Sequence, residues 1–374
     1  MIMELSEQRQ LFIKGFEDFA RTTLEPIAFE DDRNARFPKE IIKKMAEKNF
    51  FGLTIPSQYG GEEADFLNVA DMAEALGYAN CSAAAIAITH LVMAEQTILK
   101  YGTGNQRKKY LPDLVKGKML GGYAYAEVGA SLAAGENKVV AVKNGDAYTL
   151  TGKKTYVANG GAADVYVVIA QSSEADGLNG LSAFIVNGSN IKVSKSIDKL
   201  GLRSFPTAEL EFNTTAAELL GNEGEGLKIA VDIQARVDIA FGAISVGLGK
   251  KALEESVKHA KTRVQFGSPI AKVQAVQWML AEMAEKTHIL NKLTFDAAAS
   301  VDNGEDYLEN ATYLKMYAQK AAFEIGTNAV QVHGGTGYSR EANIERYFRD
   351  LRGLFNVENI NEYPQKIIAG NLLK

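Results

Sequence analysis

The sequence predicts a mainly α protein with a β domain set into its middle, and three observations predict it. Apolar residues recur at helical spacing over roughly the first 115 positions, the period changes to two between about 120 and 215, and helical spacing returns after the loop Gly221-Asn222-Glu223-Gly224-Glu225-Gly226. The expected units are a helical domain over 1–118, a compact antiparallel barrel-like β domain over 119–222 and a helix bundle over 223–374. At 374 residues the chain is long enough for two or three packed units.

In order along the chain, Ser6 is placed to cap a helix whose Phe12, Phe16 and Phe19 share one face. Pro38 opens a second helix with Ile41, Ile42 and Met45 directed inward. Ile55 to Gly61 is turn chemistry, two apolar-periodic segments follow over about 65–77 and 82–101, and a short basic helix runs from Gln106 to Leu114. Strands are expected at Gly122 to Ala126, Lys138 to Val142, Tyr148 to Thr151, Asp164 to Ala170, Leu181 to Val186, Ile191 to Ser194 and Ala208 to Phe212, with Asn-Gly and Gly-Gly turns between them. Beyond the Gly221 to Gly226 loop, Val273, Val276, Leu280, Met283, Thr287 and Leu290 alternate steps of three and four, which is a seam for packing against another long helix.

Composition removes several classes of function. A net charge of −5, from 41 basic and 46 acidic residues, gives no basic field for a phosphate backbone or anionic lipid. Cys81 is the single cysteine and the first dozen residues lack the apolar run of a signal peptide, so a reducing, cytoplasmic setting is expected. The longest apolar stretch, Cys81 to Ala94, is shorter than the roughly 20 residues a membrane helix needs, so no spanning segment is expected. Histidines 90, 259, 288 and 333 show no metal-ligand spacing.

Two glycine motifs separate on context. Gly247-Leu248-Gly249-Lys250-Lys251-Ala252 matches a dinucleotide fingerprint, but helical residues precede it and no strand follows, so close helix packing is the expected reason for its glycines. By contrast, Arg263 to Ile270 between two long helices, with Gln331-Val332-His333-Gly334-Gly335-Thr336-Gly337-Tyr338, pairs an arginine with bare glycine amides. That is the chemistry of a diphosphate clamp.

With these segments, Gly52 to Gly61, Tyr101-Gly102-Thr103, Asp198-Lys199-Leu200-Gly201-Leu202-Arg203 and Glu345 to Asp350, the chain resembles the acyl-CoA dehydrogenase family over nearly all of its length. The resemblance implies an N-terminal helical domain, a central β domain and a C-terminal four-helix bundle, usually in a tetramer of two dimers. It also implies a role in fatty acid metabolism. A glutamate removes the α-proton of an acyl thioester, the flavin of FAD takes the β-hydrogen as hydride, and an electron-transferring flavoprotein carries the electrons away. Counting 27 positions from Gln331 places the base at Glu358, in Val357-Glu358-Asn359-Ile360, whereas the base position some members use falls near Val237, which cannot serve.

Arg263, Phe266, Gln274, Gln331, Gly334 and Gly335 match the family's residues for the FAD diphosphate and adenine, typically held across a dimer interface. The flavin-ring segments depart from the pattern. Thr-Glu-Pro-Gly-Ala-Gly-Ser-Asp becomes Ala126 to Ala133, and Trp-Ile-Thr/Ser becomes Tyr156-Val157-Ala158, so side-chain donors to the ring are lost, each worth about 0.5 to 1.5 kcal/mol. Ser131, Arg236 and Asp238 are the expected substrate contacts. Asp238 stands where the family usually has arginine, so either Arg236 compensates or the acyl group arrives on a carrier protein rather than on free CoA. The departures also leave open a non-catalytic or half-site subunit, and an enzyme of the same fold running as a reductase.

Overall fold

The computed structural model describes residues 6–129, 137–145, 147–173, 180–355 and 363–373. Ser6 accepts the Arg9 amide and starts α1 (Glu7–Phe19), which buries Phe16 and Phe19 edge-on against Phe50. A π-helical turn, Ala20–Leu24, leads into α2 (Glu25–Asn34), a polar helix with no periodic signal of its own. α3 (Lys39–Glu47) follows Pro38 and buries Ile41, Ile42 and Met45, and α4 is Phe66–Ala79.

Next comes one continuous helical run: α5 (Cys81–Ile88), a π-helical segment Thr89–Glu95, and α6 (Gln96–Tyr101). At 21 residues it is longer than the sequence reading allowed, and it is long and apolar enough to cross a membrane. Yet 94% of its most apolar window is buried inside the protein, which is how a core helix satisfies the same test. A Thr103–Gln106 capping box then starts α7 (Gly104–Val115).

All seven expected strands are present: β1 (Gly121–Ala124), β2 (Val140–Asn144), β3 (Ala147–Ala158), β4 (Val165–Gln171), β5 (Leu181–Asn187), β6 (Lys192–Ser196) and β7 (Thr207–Leu220). Strands β3 and β7 run well past their expected ends, because their long pairing carries both through bulges. The sheet closes on itself through β1–β3, β3–β7, β7–β5, β5–β4 and β4–β1, with β2 and β6 alongside. The barrel is not purely antiparallel, since β1 pairs parallel with β4 from Gly121↔Val165 to Ala124↔Val168. The β2–β3 hairpin lies between them in the chain and supplies the crossover that a parallel pair requires.

The C-terminal part holds α8 (Gly226–Thr262), a two-residue hairpin of β8 (Val264–Gln265) and β9 (Ser268–Pro269), α9 (Gln274–Asp302) and α10 (Tyr307–His333). After these come α11 (Gly335–Tyr338), α12 (Ile344–Gly353) and α13 (Tyr363–Leu372). α8, α9 and α10 pack on one another, and α12 and α13 lie against α10. α4 packs tightly across α8: a Cβ on Gly247 would fall 2.0 Å from the Glu74 carbonyl oxygen, and one on Gly77 would fall 2.6 Å from that of Ile244. Close helix approach therefore accounts for the fingerprint-like glycine at 247. The α9 seam is only half used within the chain. Met283, Thr287 and Leu290 are buried, but Val273 and Trp278 are exposed, so the first turns of α9 stand clear of the chain's own core.

Candidate functional site

The β domain brings the two expected flavin-ring segments side by side. The Thr155 amide donates to the Ala126 carbonyl at 2.9 Å, and Ala158, at the end of β3, pairs with Tyr123 of β1 and Thr207 of β7. A fully buried ion pair that sequence reasoning missed holds this junction: Lys154 Nζ lies 2.6 Å from Glu127 Oε1 and donates to the Tyr125 carbonyl at 2.8 Å. Glu127 Oε1 also accepts the Val139 amide. Strand alternation was the available signal, since it turns Lys154 inward, where an ammonium survives only with a partner.

Tyr156 adopts a left-handed φ of 52° at a register shift in β3, which turns its ring outward while Val157 and Ala158 remain fully buried. With Lys199, Leu202 and Phe205, and with Arg349 and Gly353 at the end of α12, Tyr156 lines a cavity of about 470 Å³. The walls are tied together. Arg349 pairs with Asp32 at 2.6 Å and donates to the Leu200 carbonyl, and Asp350 accepts the Leu202 amide. Burial pushes the Asp350 carboxyl up to about 6 and brings the Lys199 ammonium, which donates to the Phe205 carbonyl, down to about 8. Glu358 and Ser131, the expected base and one expected substrate contact, lie outside the described residues.

The clamp residues gather elsewhere. Arg263 ends α8, Phe266 sits in the β8–β9 turn at a φ of 51° with its ring 101% exposed, and Gln274 starts α9. Gln331 is exposed in the last turn of α10, and a Cβ on Gly334 or Gly335 would meet nothing within 4 Å. Beside them the His259 and His333 rings stack at 4.3 Å, and burial lowers both imidazoles. A guanidinium with no carboxylate partner among the described residues, a carboxamide and open glycine backbone fit the phosphates of FAD. None of these residues lines the Tyr156 cavity, so one chain presents the two halves of the expected cofactor site at separate places.

Arg236 and Asp238 also part company. Arg236 stacks between Phe66 and Tyr307, with ring centroids 5.7 and 5.0 Å away, and lies 3.6 Å from Asp232. Asp238 turns into the bundle, where Lys315 of α10 approaches to 3.0 Å and Gln234 donates at 2.9 Å. Burial raises the Asp238 carboxyl, and Lys315 draws it back. Besides the two expected alternatives, Arg236 or a carrier substrate, the structure gives Asp238 another partner: a buried lysine 77 positions away neutralises it. Spacing along the chain held no signal for this long-range pair.

A third buried pair, His90 with Glu95 at 3.0 Å, links the π-helical segment to β1, because His90 Nδ1 accepts the Gly121 amide. Burial pushes the Glu95 carboxyl up to about 7. Among the described residues no cluster of His, Cys, Asp or Glu forms a metal site.

Comparison with known proteins agrees with this architecture. The chain matches the acyl-CoA dehydrogenase N-terminal domain over 6–118, the middle domain over 122–215 and the C-terminal domain over 224–373. It is 36% identical to the 3-(aryl)acrylate reductase of Clostridium sporogenes over 377 residues, covering 100% of both chains. It is 33% identical to the caffeyl-CoA reductase-Etf complex subunit CarC of Acetobacterium woodii, again over 100% of both. The structure of butyryl-CoA dehydrogenase from Megasphaera elsdenii superposes with a TM-score of 0.96 at 32% identity, covering 100% of each chain. The chain therefore belongs to the acyl-CoA dehydrogenase family, FAD-dependent oxidoreductases that act on the CH–CH bond of acyl thioesters.

Proposed function

We propose that the chain interconverts an acyl-CoA and its α,β-unsaturated form, with Glu358 moving the α-proton. The cavity that sets Tyr156 against Gly353 carries this reading. Bound FAD would supply the hydride acceptor for the β-carbon. Ala126, Tyr156, Val157 and Ala158 would flank its ring, and Arg263, Phe266, Gln274, Gln331, Gly334 and Gly335 would hold its diphosphate and adenine. The Glu358 carboxylate takes the α-proton, and charge moves to the thioester oxygen, where hydrogen-bond donors stabilise it. With Asp238 neutralised by Lys315, nothing in its surroundings favours a carrier-bound acyl group over CoA, although Ser131 and Arg236 remain candidate substrate contacts.

The separation of the clamp from the ring cavity supports a cofactor shared between two copies of the chain, and the exposed start of α9 supports a homotetramer built from two such dimers. An electron-transferring flavoprotein is the proposed redox partner, supported by the Etf complex to which one relative belongs. Three relatives are named reductases, and the same base and flavin run the reaction backwards when the partner delivers electrons. The buried, unpaired Cys81 is in keeping with a cytoplasmic setting. The reading is tested with Glu358→Gln, mixed anaerobically with acyl-CoA esters. Flavin content equal to wild type with flavin reduction slowed at least about 100-fold is expected; unchanged reduction would remove Glu358 from the mechanism.

A further inference from the structure

A second cavity, of about 420 Å³, lies where α4, α6, α8 and α9 meet, and it shares no lining residue with the Tyr156 cavity. Its size is that of a small-molecule site. Leu99, Ile233 and Val301 give it apolar walls, and Lys100, Arg236, Asp65 and Asp302 give it charge.

Arg236 is the cation here whose bonding capacity is unspent. Phe66 and Tyr307 take up the faces of its guanidinium, so hydrogen bonds are open only to its edge. Its Nε has no hydrogen-bond partner and lies 3.6 Å from Asp232, and among the described residues no other carboxylate forms an ion pair with it. Asp232 is taken instead by Lys100 at 2.8 Å and by the hydroxyls of Tyr101, at 2.6 Å, and Tyr307.

Two carboxylates share the cavity with this guanidinium. Asp302 ends α9 and accepts the first amides of α4, Phe66 at 2.6 Å and Leu67 at 2.9 Å, one on each oxygen. Asp65, just before α4, is exposed and makes no side-chain capping bond. Burial raises the Asp302 carboxyl, Asp65 adds to the rise and Arg236 opposes it, so the three charges act on one another. Lys100 and Asp232 cancel, which leaves one guanidinium against two carboxylates. A simple anion would meet Arg236 against net repulsion, and a simple amine would leave the guanidinium bare. A ligand that carries both charges satisfies both.

We propose that this cavity binds a free α-amino acid, with its carboxylate on the edge of Arg236, its ammonium on Asp65 and Asp302, and an apolar side chain against Leu99, Ile233 and Val301. The inference stands apart from the acyl-CoA reading, since Arg236 then serves a second site rather than the thioester. The test is calorimetry on the full-length protein with L-leucine and L-phenylalanine, each beside its two single-charge analogues. These are 4-methylpentanoate and 3-methylbutylamine for leucine, and 3-phenylpropionate and 2-phenylethylamine for phenylalanine.

At least one amino acid is expected to bind about tenfold more tightly than both of its analogues, and to lose that margin in Arg236→Gln and in Asp65→Asn. Asp65→Asn keeps a good helix-capping residue at an exposed position, so it tests the site even where Arg236→Gln fails to fold. No binding of either amino acid overturns the proposal. So does an analogue that binds as tightly as its amino acid, which would make the cavity a site for a simple anion or amine, and so does binding unchanged in Asp65→Asn. Displacement of the bound amino acid by excess butyryl-CoA would return Arg236 to the thioester; that too overturns the proposal, and it leaves the acyl-CoA reading intact.

Discussion

The clamp at the ends of α8 and α10 and the ring cavity beside β3 are the two halves of one proposed cofactor site, built on opposite terms. The clamp is exposed: Phe266 has no contact that shields its ring, and the glycines at 334 and 335 open onto free space. The ring half is interior, with Val157 and Ala158 fully buried and Glu127 held by Lys154. Motif residues persist in the exposed half, where function alone dictates the side chains. Substitutions concentrate in the buried half, where barrel packing and strand pairing hold the backbone in place and a lost donor need not disturb the fold.

The largest way to break this contrast is to attack the buried half through its pinning pair. Lys154→Met leaves Glu127 uncompensated in the interior, and a loss of about 3 to 5 kcal/mol in urea unfolding is expected; a loss below 1 kcal/mol would mean that the pair does not hold the junction of the two segments. In the exposed half, Arg263→Ala is expected to leave the melting temperature of the protein unchanged while weakening FAD by about 1.5 to 3 kcal/mol, read by flavin fluorescence titration. Unaltered FAD affinity would remove the clamp from the cofactor site.

Ala158→Ser sharpens the comparison by restoring a hydroxyl where the family pattern has one. FAD affinity should rise by about 0.5 to 1.5 kcal/mol, and no gain would show that position 158 does not face the ring.

The smallest effect concerns Glu95. Its carboxyl is pushed by burial from an ordinary 4.5 up to about 7, so between those values the folded chain holds a proton that the unfolded chain has released. Its contribution to stability therefore falls as pH rises through that window. Glu95→Gln should gain on wild type from about pH 4.5 to 7 in thermal unfolding, whereas parallel curves would place the carboxyl elsewhere.

Much of the fold was legible because local pattern and tertiary outcome agree. The Ser6 cap, the inward face of α3, all seven strands and the close packing at Gly247 follow from spacing and turn chemistry. Helix α2 was not legible, since its buried groups include Asp31 and Asp32, held by Arg36 and Arg349 rather than by an apolar stripe. The parallel β1–β4 pairing was hidden because strand periodicity says nothing about which strands become neighbours. In the site, the clamp residues could be named from their motifs, but the Lys315 that neutralises Asp238 could not, because a buried charge finds its partner through the fold.

Together the two halves make the proposed site of an FAD-dependent CH–CH oxidoreductase. The most direct test is the visible spectrum of the freshly purified protein, repeated after anaerobic addition of acyl-CoA esters. A flavin spectrum that bleaches with one of those esters is the predicted result. A colourless protein that stays colourless when FAD is supplied would contradict it.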